Sequence, residues 1–167
     1  MLSKHISNQD IIWLLDHIIN SFQVLPGKGL PLGNLTSQLS VNIYMNEFDQ
    51  FVKRELKVHY YIRFADDFVI LSHDKLWLEE LVFKISDFLS ENLKLELHPN
   101  KIKIKTFTSG VDFLGWVNFH DFKILRTITK RRILKRASIS KPESLNSYLG
   151  LLKHGNTYKI RKALARK

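Results

Sequence analysis

Two adjacent aspartates, Asp66 and Asp67, interrupt a run of aromatic, β-branched and other apolar residues between positions 60 and 71. The run is typical of two strands of a hairpin, with the aspartates at the turn that joins them. Neighbouring carboxylates repel each other unless a positive group compensates them, and a divalent metal ion is the usual compensation. Hard carboxylate oxygens prefer Mg²⁺ or Mn²⁺. The pair therefore indicates a metal site. A solvated turn is the alternative, because Asp is a common turn former.

The charge of the chain is concentrated towards its C-terminal end. The 167 residues contain 26 Lys and Arg against 16 acids, for a net charge of +10, and residues 126–167 alone contain 13 of the basic residues and one acid. Such segregation indicates a polyanionic partner, first of all nucleic acid. The alternative is a basic face kept for solubility. The candidate phosphate contacts are four side chains of the first predicted basic helix, Arg131, Arg132, Lys135 and Arg136.

Composition excludes several other kinds of site. The chain has no cysteine, so it forms no disulfide or thiolate metal site, which is consistent with a reducing cytoplasm. Its seven histidines show no close metal-ligand spacing, and we assign them no zinc site. No run approaches the roughly 20 apolar residues of a membrane span, and no signal-peptide pattern is present. We expect a cytoplasmic protein without a membrane partner.

Hydrophobic periodicity predicts the helices that must position these residues. A capping-box-like sequence at 7–10 opens the first helix, which we expect to be buried over much of its surface. The second and third helices are predicted at about 36–56 and 75–90. Three short helices are predicted in the basic segment, at 128–137, 145–152 and 158–165.

The remaining segments predict strands. The hairpin at 60–71 is followed by short strands at 93–97 and 102–107, flanking a turn at 98–100. A second hairpin is predicted from 111–119 and 122–126. An antiparallel sheet covered by helices on one face, an α+β fold, is the solution for this order.

Four motifs follow one another along the chain. They are the loop into the second helix at 29–38, the sequence Arg63-Phe64-Ala65-Asp66-Asp67, the turn at 97–101, and Phe113-Leu114-Gly115-Trp116. In this order they resemble the palm of a reverse transcriptase, an RNA-directed DNA polymerase, over essentially the whole chain. The resemblance is closest to the bacterial enzymes of diversity-generating retroelements, relatives of the group II intron enzymes. In the loop that leads into the second helix, this chain matches the pattern of that group at Gly33, Asn34, Ser37 and Gln38.

The resemblance implies two-metal nucleotide addition to a primer 3′ end, with Asp66 as a metal ligand and Asp67 assisting. Lys101 stands where the family has a lysine near the triphosphate, so it would stabilise or protonate the leaving pyrophosphate. A solvated charge is the alternative for Lys101. The implied partners are an RNA template, a DNA primer and a dNTP, and an accessory protein is a further candidate.

Other residues receive roles from the same resemblance. Gly33 and Asn34 would let the backbone approach the incoming nucleotide, and Ser37 and Gln38 would donate hydrogen bonds there; helix capping is the alternative for the latter pair. The segment 113–116 looks like a primer grip, with Gly115 in a tight turn and Trp116 against the thumb or a sugar. Core packing is the alternative for its first two residues.

Two features of the palm motif stay open. Phe64-Ala65 departs from the commoner Tyr-x before the aspartates, which removes a hydroxyl and keeps an aromatic ring. Arg63 lies on the opposite strand face from Phe64, and it could pair with the carboxylates or contact a phosphate. The sequence does not decide between these.

We expect a partial palm over residues 1–125 and a basic, helical, thumb-like segment over 126–167. The family's third carboxylate has no counterpart, because Asp10 and Asp16 do not match its strand context. We therefore expect the 167 residues alone not to extend a primer, and an exposed sheet edge to favour self-association. A non-catalytic, maturase-like RNA-binding module is the alternative function. A nucleotide cyclase is a third candidate, which the basic segment and Trp116 argue against.

Overall fold

The computed structural model describes residues 6–21, 29, 35–137 and 142–164. The chain forms two compact units, residues 1–101 and 102–167. Each unit has its own hydrophobic core. Helices combine with small antiparallel sheets, so the predicted α+β class is confirmed.

In its described residues the first unit has three α-helices and one hairpin. The elements are α1 (Gln9–Asn20), α2 (Leu35–Gln50), a π-helical continuation (Phe51–Glu55), β1 (Tyr60–Phe64), β2 (Asp67–Leu71) and α3 (Lys75–Leu93). The strands pair in antiparallel fashion, with Phe64 opposite Asp67 and Ile62 opposite Val69. The predicted second and third helices and the first hairpin are confirmed.

The core of the first unit lies between α2, α3 and one face of the hairpin. On α3 a buried leucine or isoleucine recurs every four residues, which is the spacing of one helix face; these residues are Leu81, Ile85, Leu89 and Leu93. Phe48 of α2 is fully buried. Its ring centroid lies 5.0 Å from that of Phe68 on β2. The hairpin is thereby fixed to α2 on one face.

Helix α1 differs from its prediction. The Asn8 side chain caps it by accepting hydrogen bonds from the backbone N–H groups of Asp10 and Ile11. The helix therefore begins within the predicted segment 7–10, but its cap is Asn8 and not Ser7. None of its residues is buried, however, and Trp13 is 64% exposed. Apolar periodicity identifies the side of a helix that can be buried, but it does not identify what buries it.

The second unit joins a small sheet to the basic helices. It contains the antiparallel strands β3 (Val111–Phe113), β4 (Trp116–Asn118) and β5 (Lys123–Leu125), in that spatial order, and α4 (Thr127–Ala137), α5 (Pro142–Leu152) and α6 (Tyr158–Leu164). Five elements each give one residue to its buried core: Trp116, Leu125, Ile133, Leu152 and Leu164. The three predicted basic helices are confirmed.

Glycine at position 155 allows the loop between α5 and α6 to reach the sheet. A Cβ on Gly155 would overlap the Trp116 ring. The neighbouring Asn156 N–H donates to the Lys123 carbonyl at 2.9 Å. The loop is therefore packed against β4 and β5.

The strands predicted at 93–97 and 102–107 are wrong. Leu93 ends α3, and Lys94 follows in the left-handed region with a φ of 51°. Short 3₁₀ turns occupy Pro99–Lys101 and Phe107–Ser109, with no regular structure between them. Alternating Lys and Ile at 101–105 resemble a strand, but a strand also needs a neighbour to pair with. No described strand pairs with this segment.

The second predicted hairpin is also more divided than expected, because its first arm is itself a hairpin, β3–β4.

None of the helices in the described ranges is long and apolar enough to cross a membrane.

Candidate functional site

The aspartate pair lies at the tip of the β1–β2 hairpin. Phe64 pairs with Asp67, so Ala65 and Asp66 form a two-residue turn and Asp67 begins β2. Ala65 has a φ of 53°, a conformation that costs a non-glycine residue about 1–2 kcal/mol. A positive φ at the first turn position suits tight hairpins, because the backbone twist of such a turn matches the twist of the two strands. Both aspartates are exposed.

Arg63 holds this turn from the side. Its Nε donates to Asp49 Oδ1 at 2.8 Å, and its Nη2 donates to Asp49 Oδ2 at 2.6 Å. Its Nη1 donates to the backbone carbonyl of Ala65 at 2.7 Å. One guanidinium therefore connects α2, where Asp49 lies, with the turn that carries Asp66. Among the described residues the ion-pair partner of Arg63 is Asp49, and not Asp66 or Asp67 as the sequence allowed.

Tyr61 completes the contacts around Asp49. Its hydroxyl donates a hydrogen bond to Asp49 Oδ1 at 2.6 Å. Burial raises the pKa of the Asp49 carboxyl, but the hydrogen bonds from Arg63 and Tyr61 and the charge of Arg63 outweigh it and hold that pKa below its usual value. The hydrogen bond to Asp49 raises the pKa of Arg63 against the effect of burial. Burial and the hydrogen bond to Asp49 raise the pKa of Tyr61. At neutral pH the group is therefore a carboxylate, a guanidinium and a neutral phenol.

Asp49 is the residue that sequence reasoning missed. Tyr61 and Arg63 alternate along β1, so they share a face, and that face packs against α2. An arginine on a buried strand face needs an acidic partner. Asp49 directly follows the buried Phe48 on α2, which is the signal that could have identified it.

The chemistry of Asp66 and Asp67 fits a hard divalent cation, because both offer carboxylate oxygens to solvent. Among the described residues, no group of three His, Asp or Glu side chains is close enough to hold a metal ion. The pair would therefore supply only part of a coordination sphere. Mg²⁺ commonly keeps several waters and takes substrate phosphate oxygens as further ligands.

The primer-grip-like segment forms the β3–β4 turn. Leu114 and Gly115 have φ values of 53° and 81°. A Cβ on Gly115 would lie 3.2 Å from Thr129 Oγ1 of α4, so glycine suits both the turn and this close approach. Trp116 is 8% exposed and lies in the core of the second unit, where it packs against the basic helices.

An arginine also holds this second turn. The Arg126 guanidinium bonds Asp112 through two nitrogens, Nε at 2.8 Å and Nη2. The Arg126 backbone N–H donates to the Gly115 carbonyl at 3.0 Å. Arg126 is the single residue between β5 and α4, so it fixes the turn to the start of the basic helix.

Helix α4 has a buried side and a basic side. Thr129 and Ile133 are buried four residues apart, whereas Arg131, Arg132 and Lys135 are exposed. The side chain of Arg136 lies outside the described residues. The second unit as a whole contains 16 Lys and Arg against 3 acids. Such a surface is suited to phosphate groups.

The remaining predicted site residues lie in the first unit. Lys101 ends a 3₁₀ turn and is exposed. Ser37 and Gln38 lie inside the first turn of α2, which begins at Leu35; Gln38 is exposed and Ser37 half-buried. Gly33 and Asn34 lie outside the described residues.

A family model described as reverse transcriptase (RNA-dependent DNA polymerase) matches residues 7–118. The chain belongs to the reverse transcriptase family. No curated protein matches it. In this reverse transcriptase the family match includes the turns at 65–66 and 114–115 and ends at Asn118, the last residue of β4, so it does not extend to Arg126 or to α4–α6.

Proposed function

We propose that Asp66 and Asp67 are the metal-binding carboxylates of RNA-directed DNA synthesis, with Mg²⁺ or Mn²⁺ as the cofactor. The observation that carries this proposal is the presentation of two adjacent, exposed carboxylates by a two-residue turn that Arg63 holds. Short side chains on a fixed backbone lose little conformational freedom when they bind an ion.

The chain's other residues have distinct tasks in this reaction. When bound, the metal supplies charge stabilisation for the attacking primer 3′-oxygen and the leaving pyrophosphate. The exposed ammonium of Lys101 stabilises or protonates the pyrophosphate. The exposed basic side of α4, with Arg136, binds template and primer phosphates, and the turn at Gly115 approaches the primer.

The incoming dNTP binds against the loop that leads into α2.

The assignment to the diversity-generating retroelement group rests on Gly33, Asn34, Ser37 and Gln38. A cytoplasmic location is supported by the absence of cysteine. An accessory protein that delivers the RNA belongs to the same proposal.

Mn²⁺ titration of the 167-residue chain, followed by the EPR signal of the free ion, tests the metal role. We expect the wild-type chain to bind Mn²⁺ weakly. The Asp66→Asn substitution should remove this binding, and Asp67→Asn should reduce it. Asp87→Asn, which changes an exposed acid on α3, is the matched control and should behave as wild type. Uptake that neither hairpin variant alters contradicts the metal role.

We also propose that the 167 residues alone do not extend a primer, because Asp66 and Asp67 need further carboxylate ligands for two ions. The assay contains an RNA template, a DNA primer, dNTPs and Mg²⁺. Incorporation that Asp66→Ala abolishes would overturn the proposed inactivity and at the same time support the polymerase assignment.

Self-association through the exposed edges and the apolar outer face of the β1–β2 hairpin is a further proposal. The outer face exposes Tyr60, Ile62 and Phe64, each by more than half. Light scattering of wild type and Ile62→Lys tests it: we expect the wild type to associate with rising concentration and the variant to remain smaller. A wild-type monomer at all concentrations contradicts it.

A non-catalytic RNA-binding module is the second candidate, and one observation favours it. The second unit combines a core of its own with a net charge of +13, so RNA binding does not need the aspartates. If the Asp66→Asn and Asp67→Asn variants still bind RNA and take up as much Mn²⁺ as the wild type, this second function is preferred.

A further inference from the structure

We propose that Arg63, Asp49 and Tyr61 form a positioning network that fixes the Ala65–Asp66 turn and thereby sets where the two aspartates stand. The network is defined by these three residues. Its role in metal binding rests on the proposed function of Asp66 and Asp67. Its effect on the turn can be measured without any metal.

The turn is the part of the hairpin that needs support. Ala65 adopts a φ of 53°, which is unfavourable for a residue with a side chain. Asp66 follows it directly, so any relaxation of Ala65 would move the Asp66 backbone. The hydrogen bond from Arg63 Nη1 to the Ala65 carbonyl, at 2.7 Å, restrains the peptide group between these two residues.

Arg63 can restrain the turn because it is itself held. Both arms of its fork bond the two oxygens of Asp49, at 2.8 and 2.6 Å, and its side chain is only 10% exposed. A longer hydrogen bond of 3.4 Å joins Nη1 to Asn42, two turns earlier on α2. Bidentate, charge-assisted hydrogen bonds fix orientation as well as distance.

Asp49 links this fork to the core. It directly follows Phe48, which is fully buried between the hairpin and α3. Tyr61 bonds Asp49 from the strand at 2.6 Å, so the carboxylate cannot turn away from Arg63 without losing a second partner. A continuous series of contacts therefore runs from the core, through one carboxylate and one guanidinium, to the turn.

The geometry separates positioning from simple stabilisation. A lysine at position 63 could keep a charge near Asp49, but a single ammonium cannot reproduce the planar fork that reaches both the carboxylate and the Ala65 carbonyl. Arg63→Lys should therefore keep most of the fold while it releases the turn. Tyr61→Phe should keep the Arg63–Asp49 pair and loosen it slightly.

The experiment compares amide NMR spectra of the metal-free 167-residue chain. In Arg63→Lys we expect the amides of Ala65, Asp66 and Asp67 to shift or broaden, while circular dichroism stays close to wild type. Tyr61→Phe should change the same amides less. The matched control is Tyr44→Phe, which removes a hydroxyl hydrogen bond of 2.5 Å from α2 to the Leu93 carbonyl without touching the turn.

A second measurement connects the turn to the metal role. In an EPR titration with Mn²⁺ alone, we expect Arg63→Lys to weaken uptake by about 10-fold, the lower end of the effect of removing residues that orient metal ligands. Tyr44→Phe should leave the uptake unchanged.

The outcomes distinguish the two proposals. Wild-type amide positions at 65–67 in Arg63→Lys overturn the positioning network, whether or not Mn²⁺ binds. Altered amides together with a wild type that takes up no Mn²⁺ support the network and contradict the metal role. If Arg63→Lys does not fold, Tyr61→Phe decides: changes confined to the turn support the network, and an unchanged turn overturns it.

Discussion

Two of the hairpins in the described residues, β1–β2 and β3–β4, each have a turn that an arginine holds. Both have two-residue turns whose first residue has a φ of 53°, Ala65 in one and Leu114 in the other. In both, an arginine bonds an aspartate and a backbone carbonyl of the turn. Arg63 reaches from the strand to a helix, with its ion pair largely covered. Arg126, between β5 and α4, pairs with Asp112 of β3, and both side chains are more than two-fifths exposed.

The surroundings of the two turns differ as much as the pairs that hold them. Residues 1–101 contain 10 Lys and Arg against 13 acids, for a net charge of −3, while residues 102–167 carry a net charge of +13. The acidic unit presents carboxylates at its turn, and the basic unit presents a glycine. The turns themselves also differ, because the second residue has a positive φ in one, Gly115 at 81°, and Asp66 has none in the other. An arginine therefore supports one turn that presents carboxylates and another that permits close backbone approach.

The largest expected difference between the hairpins is in stability. Asp49→Ala leaves the covered Arg63 without its carboxylate, so we expect the free energy of unfolding to fall by about 2–3 kcal/mol. Asp112→Ala removes an exposed pair, and we expect a loss below about 1 kcal/mol. Urea unfolding of both variants measures the difference, and equal losses would remove the distinction between the two pairs.

The turn residues themselves should respond in opposite directions. Gly115→Ala places a side chain at a φ of 81° and against Thr129, so we expect a loss of about 1–2 kcal/mol. Ala65→Gly relieves a positive φ, and we expect no loss of stability or a gain of up to about 1 kcal/mol. Thermal unfolding gives both values. A stabilised Gly115→Ala would contradict the turn geometry.

Salt dependence should separate the two charged units. Arg131→Gln and Lys135→Gln should each reduce the slope of log affinity for RNA against log salt by about 1. Lys84→Gln, on α3 of the acidic unit and paired with Glu80 at 2.8 Å, is the control and should leave the slope unchanged. Fluorescence anisotropy with a labelled RNA measures it. Equal effects of all three variants argue against α4 as the phosphate-binding surface.

The smallest expected effect is on the pH dependence of stability. The pKa of Asp49 is lower in the folded chain than its ordinary value, so at acid pH the unfolded chain binds the proton more readily. The stabilising contribution of Asp49 is therefore present above the ordinary carboxyl pKa and is lost as the pH falls through the folded pKa. Asp49→Asn should flatten the decline in unfolding free energy below about pH 4. An unchanged decline shows that other groups cause it.

Local patterns in the sequence were sufficient for much of the fold. Helical spacing defined α2, α3 and the basic helices, and the strand propensity around Asp66 and Asp67 defined the first hairpin. The fork between Arg63 and Asp49 could not be predicted, because it depends on how a strand packs against a helix 14 residues away. For the same reason, local pattern does not predict that α1 is exposed, or that no strand in the described part of the chain pairs with the segment 102–106.

The single residue between β5 and α4 has a mechanical consequence. Arg126 bonds the Gly115 carbonyl, Thr129 lies against Gly115, and Trp116 shares a core with α4–α6. The basic helix and the glycine turn therefore move as one body, with a fixed spacing between them. A substitution that displaces α4 from this core would therefore displace the glycine turn as well.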